Sequence, residues 1–279
     1  MTIILDGKSL SKKIIQDLRK ELESMAVKPK LCVIQVGENP ASTIYVNKKH
    51  KISQEIGVDS VVIRLNEDIT EDELLNILND LNKDLTVTGI LVQLPLPKHI
   101  NEHKIIEAID YKKDVDGFST YNIAAIAQGK NPLAYPCTPK GIIELLKEYN
   151  VTLEGANAVV LGRSNIVGRP LATMLLNENA TITICHSKTK NLKEITKNAD
   201  ILISAIGKPE FVKAEMIKEG ACVIDVGINR LQDGKIVGDV AFEEAKQVAK
   251  YITPVPGGVG PMTIAMLMKN TVELFKKKL

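Results

Sequence analysis

Tyr45 and Lys49 are the first pair in the chain whose types and spacing suit chemistry. Four residues apart on a helix, they share a face, and a tyrosine hydroxyl beside a lysine amine can hold that amine in one orientation for proton transfer. The same spacing also describes a half-buried tyrosine covered by a lysine stem, so the pair by itself leaves both readings open. Gln93 is a second candidate. It is a polar amide at the carboxyl end of an apolar strand, GILVQL, where ligands of α/β proteins gather and where a buried amide needs partners. A structural glutamine bonding a neighbouring loop fits that strand equally well. Asp114 and Asp116 flank a valine before Gly117, a pattern that makes an Asx-type turn or binds a metal. No further Asp, Glu or His stands nearby at ligand spacing, which argues against the metal.

A different chemistry belongs to residues 157–170, NAVVLGRSNIVGRP. The apolar, β-branched run reads as a buried parallel strand that Gly162 ends. Gly168 lets the following helix approach the sheet, and Pro170 is tolerated only in a first helical turn. Such a turn offers backbone amides and the positive end of a helix to an anion, as in dinucleotide-binding folds. In an NAD site the end of the next strand should carry an acid for the ribose hydroxyls. Here it reads Cys185, His186, Ser187, Lys188. With no carboxylate there to repel a 2′-phosphate, and Arg163, Ser187 and Lys188 able to bind one, the pattern predicts NADP rather than NAD.

The elements that must position these residues alternate between strand and helix. Strands are predicted over residues 31–36, 61–65 and 89–94. Ser42 is expected to cap a helix that Gly57 stops, and Thr70 with Glu73 forms a capping box for another over 71–81. Further on, a helix over 136–149 with Thr138 as its cap and Pro139 in its first turn precedes the glycine turn. Strands over 201–205, 222–226 and 236–240 follow, and Gly227 and Ile228 sit where a nicotinamide ring could lie. Alternation of this kind is the α/β signature.

Composition narrows the class. The 279 residues suffice for two domains, and 36 basic against 34 acidic residues, a net charge of +2, gives no reason to expect nucleic-acid binding. Lys276 to Lys278 read as a solvated helix end, and His99 and His103 as exposed. Cys32, Cys137, Cys185 and Cys222 are scattered without a C-x-x-C pair, which suits reduced core thiols in a cytoplasmic protein. No apolar run approaches the ~18 residues of a membrane span, so no membrane partner is expected.

Six segments then occur in order: A-S-x-x-Y-x-x-x-K from Ala41, V-Q-L-P-L-P from Val92, K-D-V-D-G from Lys113, P-C-T-P-x-G from Pro136, G-R-S-x-I-V-G-x-P from Gly162 and T-P-V-P-G-G-V-G-P-M-T from Thr253. Together they make the chain closely resemble the bifunctional methylenetetrahydrofolate dehydrogenase/methenyltetrahydrofolate cyclohydrolase family, over essentially its whole length. The resemblance implies a folate pocket lined by Tyr45, Lys49, Gln93, Leu94, Pro95 and Asp116, with Lys49 closest to catalysis. It places Pro254, Gly257 and Gly258 beside the substrate, and Gly162, Arg163, Ser164, Ile166, Ser187 and Ile228 at the NADP site, with no metal. It implies tetrahydrofolate derivatives as substrates and a homodimer. The expected fold is α/β and two-lobed: a folate-binding catalytic domain over residues 1–119 and a Rossmann-like NADP-binding domain over 120–279, with the last helix, about 262–279, packing back on the first lobe. A dehydrogenase lacking the cyclohydrolase step, or a non-catalytic NADP sensor, is the alternative.

Overall fold

The computed structural model describes residues 1–278; Leu279, with which the expected second domain and last helix end, lies outside them. The chain forms two compact units, one of Lys13–Tyr135 with the residues from Leu267 onward, the other of Met1–Lys12 with Pro136–Met266. Both are α/β, and every strand pair in their two main sheets is parallel. Among the described residues no helix is long and apolar enough to cross a membrane.

The first of these units is built on a three-stranded sheet with Lys30–Val36 between Asp59–Leu65 and Gly89–Val92. Its middle strand is buried almost end to end, as expected of a parallel strand covered on both faces. Cys32, Ile34, Leu74, Leu78, Val87, Ile90 and Ile105 close the core on one side. Helix Pro40–Ile56 begins earlier than expected and takes its cap from Asn39, not Ser42. The Asn39 carboxamide accepts from the amides of Ala41 and Ser42 at 3.0 and 3.1 Å, while Pro40 fills the first position, where a missing N–H costs nothing. Gly57, at φ 89°, closes the helix in the left-handed conformation. The Thr70–Glu73 capping box opens helix Glu71–Lys83 as expected.

This unit extends to Tyr135, beyond the expected boundary at 119. The fully buried Asn122 donates to Asp114 Oδ2 at 3.0 Å and accepts from the Leu133 amide at 3.0 Å, which binds the 120–134 segment to the sheet side. The last helix, Val259–Lys276, does return to it from Leu267 on. There the Ser53 hydroxyl donates to Met268 Sδ at 3.3 Å, and Asn270 Nδ2 donates to the carbonyls of Val115 and Tyr135, both at 2.8 Å. Nor is the lysine-rich end simply solvated. Lys276 pairs with Glu21, while Lys277 and Lys278 donate to the carbonyls of Leu133 and Val87 at 3.0 and 2.7 Å.

The other unit carries a six-stranded sheet in the order Ile3–Ile4, Tyr251–Ile252, Cys222–Asp225, Ile201–Ser204, Asn157–Leu161, Thr181–Cys185. Strand Asn157–Leu161 has its two successors in sequence on opposite sides, which makes its carboxyl end a topological switch point. Residues 236–240 do not join this sheet. Ile236–Val237 pairs antiparallel with Asn229–Arg230 as a separate ribbon, and Asp239 and Val240 turn their amides toward Asp225 instead. Helix Cys137–Glu148 starts with no side-chain cap; Thr138 lies inside its first turn and its hydroxyl is 2.9 Å from that of Thr263. All four cysteines are free and buried.

Candidate active site

Lys49 stands on helix Pro40–Ile56 and is only 8% exposed, unusual burial for a lysine. Its ammonium donates to Gln93 Oε1 at 3.0 Å. Gln93 follows strand Gly89–Val92 and continues its ladder by one bond, its amide donating to the Ile34 carbonyl at 2.8 Å. Because Gln93 Nε2 donates to the Leu94 carbonyl at 2.7 Å, the orientation of the carboxamide is fixed and its oxygen is left to Lys49. Both ends of the Gln93 carboxamide thus have partners, the oxygen accepting from Lys49 and the nitrogen donating to the next carbonyl. The Leu94–Pro95 peptide bond is cis, with Leu94 half-buried and Pro95 exposed.

Tyr45 lies one turn before Lys49 and is half-buried, and burial pushes its phenol up from the ordinary tyrosine value. Among the described residues it is Gln93, not the Tyr45 hydroxyl, that bonds the lysine amine. Asp116 is half-buried on the loop beyond the sheet. That loop is shaped by Asp114, whose two oxygens accept from the amides of Gly117 and Ser119 at 2.9 and 2.7 Å as well as from Asn122. With three N–H donors on its carboxylate, Asp114 is the turn residue of the pair. Pro254, Gly257 and Gly258 belong to the six-stranded unit. Here the Gly258 amide donates to the Pro254 carbonyl at 2.9 Å, Gly257 has φ 115°, and the turn leads into the last helix.

The glycine turn has the geometry of a nucleotide cradle. Gly162 adopts φ 114° and a Cβ there would strike the Ala205 carbonyl; a Cβ on Gly168 would strike the carbonyl of Gly162. Helix Gly168–Asn177 can thus pack close to the strand end, with Pro170 in its first turn. Its first amides are already engaged: the Ser164 hydroxyl accepts from Val167 and Gly168 at 3.2 and 3.3 Å and the Ser164 carbonyl from Arg169 at 3.0 Å, while Pro170 has no N–H, so Ser164 organises the turn. Beside it lies a pocket of about 310 Å³ whose lining includes Gly162, Arg163, His186, Ser187, Ile206 and Lys208. The structure therefore brings together Gly162, Arg163 and Ser187 of the expected cofactor residues, while Ser164, Ile166, Ile228 and Lys188 lie outside that lining. Ile166 and Ile228 are 37% and 50% exposed.

Lys208 and Ile206 were not anticipated from the sequence. The available signal was their place just past strand Ile201–Ser204, at the carboxyl edge where α/β ligands collect. Lys208 also places its ammonium 5.4 Å from the ring centroid of Phe211, another lining residue.

Two α/β units, one with a buried lysine held by an amide and one with a glycine cradle at a topological switch point, define a protein of the dinucleotide-binding α/β class with a separate polar site. The chain belongs to the tetrahydrofolate dehydrogenase/cyclohydrolase family: the model of the family's catalytic domain matches residues 5–116 and that of its NAD(P)-binding domain residues 136–279. A protein of Campylobacter concisus named bifunctional protein FolD is 54% identical, the match covering 99% of this chain and 98% of that one. The crystal structure of the bifunctional enzyme FolD, methylenetetrahydrofolate dehydrogenase/cyclohydrolase, from Campylobacter jejuni is 53% identical with a TM-score of 0.98 over 100% of both chains. The Trypanosoma brucei dehydrogenase-cyclohydrolase, solved with NADP and an inhibitor, is 37% identical with a TM-score of 0.95, covering 99% of this chain and 98% of that one.

Proposed function

We propose that this protein oxidises 5,10-methylenetetrahydrofolate to the 5,10-methenyl form with NADP and hydrolyses the methenyl form to 10-formyltetrahydrofolate. The observation that carries this reading is the buried Lys49 held at 3.0 Å by Gln93, within the segment matching the family's catalytic domain. Neither a dehydrogenase without the hydrolytic step nor an NADP sensor has need of such a lysine.

The residues around the cradle fit NADP. Gly162 and Gly168 let the strand end, the Ala205 carbonyl and the helix close up where a Cβ would clash, Arg163 and Ser187 line the pocket beside them, and no acid stands at the end of strand Thr181–Cys185. Bound NADP supplies the hydride acceptor. The lone pairs of the substrate's two nitrogens expel that hydride, so the protein's task in this step is positioning. Asp116, on a loop fixed by Asp114, is suited to accept from the amide and amino donors of a pterin. Tyr45, half-buried one turn before Lys49, forms a wall beside the lysine.

Hydrolysis needs proton movement. Water adds to the methenyl carbon and loses a proton; as the bond from that carbon to N5 breaks, N5 gains a proton and the remaining hydroxyl proton leaves to form the formyl C=O, so that one proton is released in all. We assign that traffic to Lys49, whose amine Gln93 holds in place while leaving its other positions for water and substrate. Leu94 and Pro95 set the backbone beside it, and Pro254, Gly257 and Gly258 are assigned to substrate binding. Ser164, Ile166 and Ile228 complete the NADP site. Buried free thiols accord with a reducing cytoplasm, where we place the protein as a homodimer; sedimentation giving only monomer at micromolar concentration would contradict the dimer.

The decisive test is Lys49→Met. Methenyl hydrolysis should fall by about a hundredfold or more, within the range assigned to general acid-base catalysis, while NADPH binding followed by fluorescence stays unchanged. Hydrolysis near the native rate would reject the assignment.

A further inference from the structure

Two buried carboxylates stand outside the sites described so far. Asp225 ends strand Cys222–Asp225 and is 3% exposed; Asp239 follows the small ribbon and is 0% exposed. They interlock. Asp225 accepts from the amides of Gly227, Asp239 and Val240 at 3.0, 2.8 and 2.9 Å. A Cβ on Gly238 would strike the Asp225 carboxylate, and one on Gly227 would strike that of Asp239. The D-V-G and G-D-V segments of the sequence thus form one device in which each glycine makes room for the other segment's acid.

Asp239 reaches further. Its Oδ2 accepts from the amides of Ile206 and Gly207 at 2.7 and 3.1 Å and from the Ser204 hydroxyl at 3.3 Å. Its Oδ1 accepts from the Lys208 amide at 2.9 Å and from Asn229 Nδ2 at 3.0 Å. Ile206 and Lys208 are lining residues of the pocket beside Gly162, and Asn229 follows Ile228. One carboxylate therefore holds loops that leave two neighbouring strands of the sheet.

We propose that Asp239 is a positioning residue for the dinucleotide: it shapes the wall formed by residues 206–208 and the segment carrying Ile228 without touching the cofactor. This rests on the reading of the pocket as the NADP site. Because the three amides of residues 206–208 all turn inward to Asp239, none is left for a phosphate. That loop receives a nucleoside portion of the ligand by side-chain contact, and the phosphates fall to residues 163–166 of the glycine turn, since the amides of Gly162, Val167 and Gly168 are also engaged. An asparagine cannot replace the acid, since both of its oxygens face only donors and the Nδ2 end of a carboxamide would meet one set of them in either orientation.

The experiment uses full-length protein and NADPH fluorescence titration, with initial rates giving KM for NADP and for methylenetetrahydrofolate. Asp239→Asn should raise the NADPH Kd and the KM for NADP by about tenfold or more, the expected cost of losing charge-assisted bonds, with KM for the folate within about twofold of native. Native-like NADPH affinity in folded Asp239→Asn protein, or an equal loss for both substrates, would overturn the proposal. Should that variant fail to fold, Asn229→Ala removes a single partner and leaves the backbone bonds; a rise of about threefold in NADPH Kd supports the proposal and no change overturns it. Wild-type protein that bound no NADPH would instead defeat the cofactor reading itself, and this inference with it.

Discussion

Burial and hydrogen bonding act in opposite directions on Asp225. Three backbone amides favour its charged form, but loss of solvent, reinforced by the like charge of Asp239 beside it, prevails and pushes the carboxyl up to about 6. The native protein therefore holds this proton more tightly than the unfolded chain, whose aspartates titrate near 3.8. Unfolding releases the proton between those two values, so the contribution to stability is complete below about pH 4 and is lost as the pH rises through about 6. The loss should be roughly 3 kcal/mol, at about 1.36 kcal/mol for each tenfold difference in proton affinity between the folded and unfolded states. Carbon-13 NMR of the Asp225 carboxyl should show a midpoint near 6 in the folded protein. A midpoint at the ordinary aspartate value would mean that the amides prevail. Lys49 illustrates the same scale in the other unit: a buried ammonium is tolerable because one amide, itself locked by the next carbonyl, accepts from it.

Helix Glu71–Lys83 shows how an element depends on both local and distant residues. Its start was legible, because Thr70 and Glu73 satisfy each other's backbone amides within one turn. Its end was not. The carbonyls of Leu81, Asn82 and Asp84 accept from the ammonium of Lys113 at 2.8, 2.7 and 2.7 Å, a cap delivered from the loop that also carries Asp114 and Asp116. Lys113 is 5% exposed, and its burial pulls the amine below the ordinary lysine value, yet it adds positive charge where the helix is negative. Lys113→Met should cost about 2–4 kcal/mol in urea denaturation, because three carbonyls lose their partner together. A cost under about 0.5 kcal/mol would show that water caps the helix equally well.

The same division explains what else could be read. The Gly162 turn, the Gly57 stop and the strand pattern follow from neighbours in sequence. Lys208 joins the pocket, and Asp239 its supporting shell, only after separate strands align. Residues 236–240 had the apolar pattern of a sheet strand, but Asp225 claims the amides that such a strand would need.

At the scale of the molecule, the two halves of the proposed chemistry are built by different parts of the chain. The pocket beside Gly162 is complete within the six-stranded unit, whereas the unit holding Lys49, Gln93 and Asp116 is finished only by residues from Leu267 on. Asn270 is the clearest joint: 3% exposed, it donates to the carbonyl of Val115, the residue before Asp116, and to that of Tyr135, where the unit's first segment ends. Asn270→Leu keeps much of the volume but removes the donor from both carbonyls. At about 1–3 kcal/mol for each of the two carbonyls that lose this donor, a loss of roughly 2–6 kcal/mol is expected. The loop carrying Asp116 should loosen with it. Folate KM should therefore rise while the NADPH Kd stays native, a split that general destabilisation of the fold does not produce. If both affinities fell in parallel, the end of the chain would be supporting the two units alike, and the assignment of the folate function to the unit it completes would have to be abandoned.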